Sequence, residues 1–509
     1  MTGGAAARYA TGRHRDAVVV GSGPNGLAAA VTLARAGLTV EVLEAGEEIG
    51  GGLRTVSLFD SDVRHDICSA VHPLAAVSPF FRRFDLPARG IDLLPPMASY
   101  AHPLSHGRAA VAYRDLERTC ESLGPDGGRW RRLMGPLLAH STDIGELLLS
   151  DFRSLPTSLR VPFMLAHRTL KHGTRAASHT FATEEAAALL TGVATHAVGR
   201  LPSLVGGGIS VFLGHLAHSR GWPVPRGGSR VLAAAMAQDI TRHGGVLHTG
   251  ARVTDLRQLH GARVVLFDTS PREFSVIAGA RLPRRYCAQL RRFRYGPAAA
   301  KVDFLVTEPV PWANPEVGTA GTVHLGGTQA QIHRRESHVA HGRDAGEPFV
   351  LLVDPSVADP SRTHAGKRPV WAYAHVPNGY AGDPVPLVRA RIEKYAPGFG
   401  DTVRAARGIN GVEYENYNPN YVGGDIGAGA LTVRQTLLRP TARWDPYRTP
   451  LPGVYLCSAS TPPGPGVHGM SGHLAALSAL RREFGITTPP SLAPDQNTTA
   501  VHPPGSADA

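Results

Sequence analysis

Residues 16–44 read DAVVVGSGPNGLAAAVTLARAGLTVEVLE, and this stretch decides the fold. A short apolar run ends in a GxGxxG turn, an alanine-rich segment follows as far as Gly37, and a second apolar run ends at Glu44. Apolar runs of this length predict buried strands, and the alanine-rich segment predicts a helix between them. The order of these elements predicts a dinucleotide-binding βαβ unit.

The spacing of the glycines has a physical explanation. The first glycine permits a tight turn, the second lets a pyrophosphate approach the backbone, and the third lets helix and strand pack closely. The helix N-terminus adds free N–H groups and a partial positive charge. Glu44 is placed to bind a ribose diol and to disfavour a 2′-phosphate. The residues predicted to hold the dinucleotide are therefore Gly21, Ser22, Gly23, Pro24, Asn25, Gly26 and Glu44.

A second glycine cluster follows the acid. Ala45 comes directly after Glu44, and Gly51, Gly52 and Arg54 lie a few residues further along. This pattern resembles the second half of the FAD fingerprint in the amine oxidase and phytoene desaturase superfamily. The resemblance implies backbone passing under the pyrophosphate while the arginine supplies positive charge. The alternative is a flexible loop before the next strand.

The C-terminal part of the chain contains a third glycine-rich segment, residues 453–480, where an apolar run, a Gly/Pro loop and a helix follow one another. A helix that starts beside such a loop can direct N–H groups at the pyrimidine edge of a flavin. The residues predicted to contact the flavin here are Ser460, Gly466, Val467, His468 and Met470. The alternative is a segment that only packs. His468 is also a weak candidate for orienting substrate or moving a proton, although holding the loop is an equally good role for it.

Over residues 16–485 the chain resembles the phytoene desaturase-like branch of the FAD-dependent amine oxidase superfamily, the relatives of carotenoid and retinoid dehydrogenases. The resemblance is carried by the three glycine-rich segments and by residues 64–73, 221–229, 249–253, 295–303 and 418–425. It implies an α/β fold in which a Rossmann-like domain with non-covalent FAD is interrupted by a substrate domain of mixed sheet and helices. By the same resemblance, Val253 contacts the adenine from a strand.

We therefore expect a discontinuous FAD-binding domain formed by residues 16–110, 226–285 and 425–487. The two inserts, 111–225 and 286–424, are expected to form the substrate-binding domain with a helical cap, because the first has helical periodicity and the second has strand-like runs. Trp371, Tyr373 and His375 alternate and should share one strand face, lining a ligand tunnel or packing under helices. Residues 1–15 are expected to be flexible, and the Pro/Ser/Thr-rich residues 488–509 to be disordered.

Three functions fit this organisation. The first is an FAD-dependent dehydrogenase or desaturase that takes a hydride from an apolar polyene, lipid or natural product. The second is a flavin-dependent isomerase or an amine or alcohol oxidase on the same scaffold. The third is an escort protein that binds lipid or prenyl groups without redox chemistry. Because no second GxGxxG follows a buried strand, an external acceptor such as oxygen or a quinone is expected for a dehydrogenase.

Composition excludes several other classes. The chain has 509 residues and a net charge of +12, but its 49 arginines and 4 lysines are spread without a basic block, so a nucleic-acid partner is not expected. No apolar stretch reaches eighteen residues and no secretory signal is present, which predicts a cytoplasmic protein. Residues 160–175 are either a basic amphipathic segment at a membrane surface or a solvated helix. Four scattered cysteines predict reduced thiols, no metal site is expected, and the oligomeric state stays open.

Overall fold

The computed structural model describes residues 15–59, 62–151, 153 and 158–495. The predicted flexible N-terminus lies outside these ranges apart from Arg15, and so does the predicted tail from residue 496 onward. The strands are β1 Arg15–Val20, β2 Val40–Leu43, β3 Thr55–Ser57, β4 Arg64–Asp66, β5 Leu93–Leu94, β6 Ala98–Pro103, β7 Ala109–Tyr113, β8 Val224–Pro225, β9 Val246–His248, β10 Ala262–Phe267, β11 Ala298–Val306, β12 Ala320–Leu325, β13 Val350–Val353, β14 Arg368–Val376, β15 Val403–Ile409 and β16 Val454–Leu456.

The helices are numbered in the same way along the chain. They are α1 Pro24–Arg35, α2 Pro79–Phe84, α3 Leu116–Ser122, α4 Gly127–Leu138, α5 Ser141–Leu148, α6 Arg160–His172, α7 Glu184–Ala194, α8 Leu204–Ser219, α9 Arg230–Arg242, α10 Pro271–Ala278, α11 Arg284–Arg291, α12 Gln329–Ala340, α13 Pro384–Glu393, α14 Phe399–Thr402, α15 Gly411–Tyr417, α16 Val433–Leu437 and α17 Met470–Ala479.

A five-stranded parallel sheet contains the predicted βαβ unit. Its strand order is β16-β10-β1-β2-β9, so β1 lies at its centre. Ala17, Val18 and Val19 in β1 are fully buried because helices cover both faces, as parallel sheets require. Helices α1, α9 and α17 contribute to the core on one face, whereas α10 and α11 contribute to the core on the other.

A mixed seven-stranded sheet forms the second domain. Its order is β15-β11-β14-β13-β12-β6-β7, and within it only β12 and β6 pair in parallel. The alternation of side chains gives the sheet two different faces. Val302, Phe304 and Ala372 on one face pack against α13, while Trp371 and Tyr373 lie on the other face in a separate cluster. The predicted α/β fold class, a Rossmann-like domain combined with a mixed-sheet domain, is confirmed.

Two segment boundaries differ from those expected. Strand β6 and the start of β7 fall within residues 16–110, which were assigned to the dinucleotide domain, yet both strands belong to the second sheet. The reason is that β6 pairs with the distant β12, and its own sequence contains no information about that partner. At the other end, residues 488–495 are held rather than disordered, since Leu492 is buried and Arg35 donates a hydrogen bond to the carbonyl oxygen of Ala493 at 2.7 Å.

Helices α1 and α17 approach each other closely at Gly472. A Cβ atom on Gly472 would overlap the carbonyl oxygen of Asn25 and lie 3.0 Å from the backbone nitrogen of Ala29. Both obstacles are backbone atoms of α1, so neither can rotate away. Because α1 begins at the glycine turn, this contact also sets the position of the predicted dinucleotide site.

We expect Gly472→Ala to lower the free energy of unfolding by about 3 kcal/mol, since α17 must move away from α1 to admit the methyl group. Urea denaturation monitored by circular dichroism measures this change. The matched control is Gly135→Ala in α4, where the nearest atoms lie at ordinary contact distances of 3.8 Å or more. That substitution should leave stability unchanged or raise it by up to about 1 kcal/mol, because alanine is the better helix former. Equal effects of the two substitutions would contradict the close α1–α17 contact.

Candidate dinucleotide and substrate site

The turn between β1 and α1 has the geometry that the glycine spacing predicts. Gly21 has a φ of +97°, which is the conformation that favours glycine. A Cβ atom on Gly26 would overlap the carbonyl oxygen of Gly21, so the third glycine allows the helix to start directly against the strand. Asn25 borders the same space, and its Oδ1 atom is buried without a hydrogen-bond partner among the described residues. The turn therefore offers an open polar cradle at a helix N-terminus.

Asp268 is a functional residue that the sequence interpretation did not single out. It follows β10, the strand next to β1, and its Oδ2 atom accepts a hydrogen bond from the Gly26 N–H at 2.9 Å. The pKa of this carboxyl is raised to about 7, chiefly by burial and in smaller part by nearby Glu44, while the hydrogen bond from Gly26 opposes the rise. A carboxyl that readily holds a proton removes a negative charge from the place where a diphosphate would bind.

Glu44 and Arg54, both predicted to contact the dinucleotide, contact each other. A guanidinium nitrogen of Arg54 lies 3.2 Å from Oε1 of Glu44. Ser22 donates to Oε2 of Glu44 from its backbone N–H at 3.0 Å and from its hydroxyl at 2.5 Å, and the Gly46 N–H donates to Oε1 at 2.8 Å. The carboxylate is therefore fixed at the carboxyl end of β2, where the βαβ pattern places a ribose ligand.

The remaining N-terminal residues complete this wall. Gly51 packs against Gly23, since a Cβ atom on Gly51 would lie 3.0 Å from the Cα of Gly23. Ala45, Gly52 and Val253 border the same cavity. Val253, however, lies in an irregular segment after β9 rather than in the strand that the resemblance implied.

The C-terminal glycine loop lies opposite this cradle, and His468 holds it together. The N–H of Met470 donates to Nδ1 of His468 at 3.0 Å, so Nε2 carries the proton and donates to the carbonyl oxygen of Gly464 at 3.1 Å. Burial lowers the pKa of His468 to about 4. Because both ring nitrogens are engaged within the loop, this arrangement favours the loop-holding role over proton transfer.

Two buried charged residues, Asp425 and Arg439, hold the backbone beside the same loop. Asp425 accepts hydrogen bonds from the N–H groups of Gly296, Gly427 and Gly429 at 2.7–2.9 Å. Arg439 is buried and donates to the carbonyl oxygen of Ala428 at 3.1 Å, which is also where the Ser460 hydroxyl donates at 2.9 Å. Burial lowers the pKa of Arg439 to about 10, and the charge of Asp425 opposes this shift. The hydrogen bonds of these two side chains fix residues 425–430, which border the cavity.

One cavity of about 930 Å³ connects these parts. It is bordered by every predicted dinucleotide or flavin residue except Gly26 and Met470. Gly26 is turned instead toward Asp268, and the N–H of Met470 is used by His468. The cavity-lining residues among those predicted are Gly21, Ser22, Gly23, Pro24, Asn25, Glu44, Ala45, Gly51, Gly52, Arg54, Val253, Ser460, Gly466, Val467 and His468.

The far wall of the cavity is the face of the seven-stranded sheet that carries Trp371 and Tyr373. Of the three alternating residues on β14, these two border the cavity, whereas His375 packs away from it with Nδ1 2.9 Å from Glu336 of α12. The two roles that the sequence left open, lining a ligand tunnel and packing under helices, thus both occur on one strand. Phe212 and Trp222 add aromatic and apolar surface from the helical side.

The tyrosines of residues 414–421, which precede the C-terminal loop, also divide between packing and lining the cavity. Tyr414 is buried and donates to the carbonyl oxygen of Ile67 at 2.9 Å, which is a packing role. Tyr417 and Tyr421 border the cavity, and Arg54 donates to the Tyr417 hydroxyl at 3.3 Å. Residues 298–301 at the start of β11 do not border the cavity.

Other site classes find no support in the described ranges. No group of three His, Cys, Asp or Glu side chains there is placed to hold a metal ion. His218 in α8, for example, accepts a hydrogen bond from the Trp130 indole at 3.0 Å. Within the same ranges, no helix combines the length and apolar character that crossing a bilayer demands.

Comparisons with known proteins agree with this geometry. A family profile for NAD(P)-binding Rossmann-like domains matches residues 19–84. The chain is similar to the pyridine nucleotide-disulfide oxidoreductase domain-containing protein 2 of Rattus norvegicus, with 26% identity over 547 positions covering 92% of this chain and 93% of the rat protein. A shorter similarity joins it to a limonene dehydrogenase subunit of Castellaniella defragrans, with 33% identity over 108 residues covering 21% of this chain and 19% of that protein.

Among solved structures, a cofactor-redesign triple mutant of putrescine oxidase superposes with a TM-score of 0.58 and 16% identity, covering 91% of this chain and 98% of the other. At this identity the likeness shows the fold alone. The chain therefore contains a Rossmann-like domain of the NAD(P)-binding type, and its overall fold is similar to that of putrescine oxidase.

Asp268 gives the stability of the dinucleotide-free protein a defined pH dependence. Because its folded-state pKa is raised to about 7, the folded chain binds the proton more tightly than the unfolded chain does. The stabilisation is full below about pH 4 and is lost as the pH rises through 7, with a slope of at most about 1.4 kcal/mol per pH unit. Asp268→Asn, which keeps an oxygen for the Gly26 N–H, should remove this component from urea-unfolding free energies measured between pH 4 and pH 7.

The control is Asp255→Asn, since neighbouring Arg257 lowers the pKa of that exposed carboxyl to about 2. The control variant should retain the fall in stability between pH 4 and pH 7. A difference between the natural chain and Asp268→Asn that does not vary with pH would contradict the assignment.

Proposed function

We propose that the protein is an FAD-dependent oxidoreductase that takes a hydride from an apolar small molecule. The observation that carries the proposal is the single cavity that runs from the glycine turn, past the C-terminal glycine loop, to the aromatic wall of the second sheet. One continuous space of this kind suits a dinucleotide cofactor lying end to end with a substrate. Full-length similarity to an oxidoreductase-domain protein supports the same class.

The donor set fits FAD. The open turn at the N-terminus of α1 suits a diphosphate, Glu44 suits a ribose diol, and a second glycine-lined loop faces the same space. When bound, a flavin supplies the two-electron redox chemistry, and the protein supplies orientation and exclusion of water. The N-terminus of α17 and buried Arg439 place positive potential behind the C-terminal loop.

The chemistry of the far wall favours an uncharged substrate. Trp371, Tyr373, Leu351 and Val353 present aromatic and aliphatic surface, and α8 contributes Phe212 from the other side. A cationic amine would need an unpaired carboxylate there, but Asp303, the cross-strand neighbour of Trp371, is paired with Lys301 and is fully buried. A hydrocarbon-like substrate therefore fits better than an amine, in keeping with the partial similarity to a limonene dehydrogenase subunit.

The first test is the visible absorption spectrum of the purified protein, followed by heat release and identification of the chromophore. We expect released FAD, and we expect anaerobic bleaching of the flavin by an apolar polyene but not by putrescine. Mass spectrometry of the product then separates net loss of two hydrogens from isomerisation. A colourless protein that also refuses added FAD would overturn the proposal in favour of a lipid-binding escort role.

The second test changes the cradle itself. Gly23→Val should reduce FAD occupancy from about one per chain to below about 0.1, because the added side chain occupies the approach to the turn, where a Cβ atom alone would lie 2.5 Å from Oδ2 of Asp268. The readout is the flavin-to-protein absorbance ratio after gel filtration in excess FAD. Gly128→Val at the start of α4, where the nearest side-chain atom is 3.7 Å away, is the control and should keep full occupancy. Retention of full flavin by Gly23→Val would overturn the diphosphate assignment.

A further inference from the structure

Several polar atoms in the far wall of the cavity lack partners. The register of the second sheet places Tyr100, Thr322, Val353 and Trp371 directly beside one another on four neighbouring strands, so their side chains share a face. The hydroxyls of Tyr100 and Thr322 and the indole nitrogen of Trp371 are all buried and have no hydrogen-bond partner among the described residues. Thr322 and Trp371 border the cavity.

A pair of histidines extends this row. His196, two residues after the end of α7, borders the cavity, and its Nε2 lies 3.2 Å from Nε2 of His324 on β12. One of the two nitrogens must donate and the other accept, so the pair shares a single proton on this contact. Nδ1 of His324 and the hydroxyl of Tyr100 are both buried and have no hydrogen-bond partner among the described residues. The two rings are neighbours, with centroids 5.5 Å apart.

The patch carries hydrogen-bonding capacity but no net charge. Burial lowers the pKa of His196 to about 3, and burial together with neighbouring histidines lowers the pKa of His324 well below its usual value. Lys301 lies on the same sheet face but is paired with Asp303. Buried polar atoms without partners are costly. Two of them belong to residues that border the cavity, and two more belong to the neighbouring Tyr100 and His324, which indicates a binding function rather than packing.

We infer that the polar patch, formed by Thr322, Trp371 and His196 and backed by Tyr100 and His324, binds an uncharged oxygen function at one end of an otherwise apolar ligand. The oxygen function is a hydroxyl or a carbonyl, because the patch offers neutral donors and acceptors and no free cation for a carboxylate. Aliphatic Val353 and Leu351 lie between the polar groups and contact the apolar part. The inference rests on the proposed function only in assigning this cavity to the substrate.

The test uses three probes with the same carbon skeleton: farnesol, the hydrocarbon farnesane and the carboxylate farnesoate. Binding to the purified holoprotein is followed by quenching of tryptophan fluorescence, since Trp222 and Trp371 both border the cavity. We expect farnesol to bind about tenfold more tightly than farnesane, and farnesoate to bind more weakly than farnesol, because burial of its charge is uncompensated.

Thr322→Val removes the hydroxyl with little change of volume and should weaken farnesol binding about fivefold or more while leaving farnesane binding unchanged. Trp371→Phe, which removes the indole nitrogen, is the second variant and keeps the test decisive if Thr322→Val does not fold. The matched control is Thr402→Val, since Thr402 is a buried threonine away from the cavity with its hydroxyl bonded to the carbonyl oxygen of Phe399 at 2.8 Å. The control should keep the preference for farnesol.

The inference would be overturned if farnesol and farnesane bound equally, if farnesoate bound most tightly, or if no probe bound. It would also be overturned if Thr322→Val and Trp371→Phe, where they fold, kept the full preference for farnesol. Flavin content and anaerobic reduction are measured separately and report on the proposed function. A protein without FAD that still prefers farnesol would overturn the proposed function alone, whereas a flavoprotein bleached by a polyene without this preference would overturn the inference alone.

Discussion

The backbone contacts around the first turn of α1 constrain the rest of the molecule. The Gly21 carbonyl oxygen lies where a side chain on Gly26 would be, and the Asn25 carbonyl oxygen lies where a side chain on Gly472 would be. Two segments separated by more than 440 residues in sequence therefore meet the same helix turn without any intervening side chain. Since backbone atoms cannot change rotamer, the relative positions of the glycine turn and the C-terminal loop are fixed by packing.

The candidate site contains both acidic groups and groups suited to an anion, so its charges must be held in fixed positions. Glu44 and Asp268 place two acids near a turn that is suited to an anion, and the structure offsets them in different ways. Glu44 is paired with Arg54 and takes three hydrogen bonds from Ser22 and Gly46, whereas burial moves Asp268 toward its neutral form. At the far wall the histidines are kept neutral by burial. The cavity thus changes from a polar, hydrogen-bonded end to an uncharged end along its length.

Features that depend on contacts between residues close together in sequence could be predicted, whereas features that depend on distant residues could not. The βαβ unit is set by contacts within residues 16–44, and β1, α1 and β2 lie where the apolar runs and the GxGxxG turn place them. Asp268 was missed because its partner, Gly26, is 242 positions away. An acid directly after an apolar run that pairs with β1 was a usable signal, since ligands in parallel sheets bind at the carboxyl ends of strands. His196 and β6 carried no such local signal, because their roles depend on contacts with β12, which is distant in sequence.

The contact between Glu44 and Arg54 shows why motif residues do not translate directly into ligand contacts. Each was expected to face the dinucleotide, yet the arginine also donates to the carbonyl oxygen of Glu48 at 2.5 Å and to the Tyr417 hydroxyl at 3.3 Å. An arginine held by a carboxylate, a carbonyl and a phenol is preorganised in the wall rather than free to follow a phosphate. Its charge instead fixes the carboxylate of Glu44. Arg54 and Glu44 therefore form a hydrogen-bonded unit that joins the first glycine turn, the second glycine cluster and the tyrosine-rich segment.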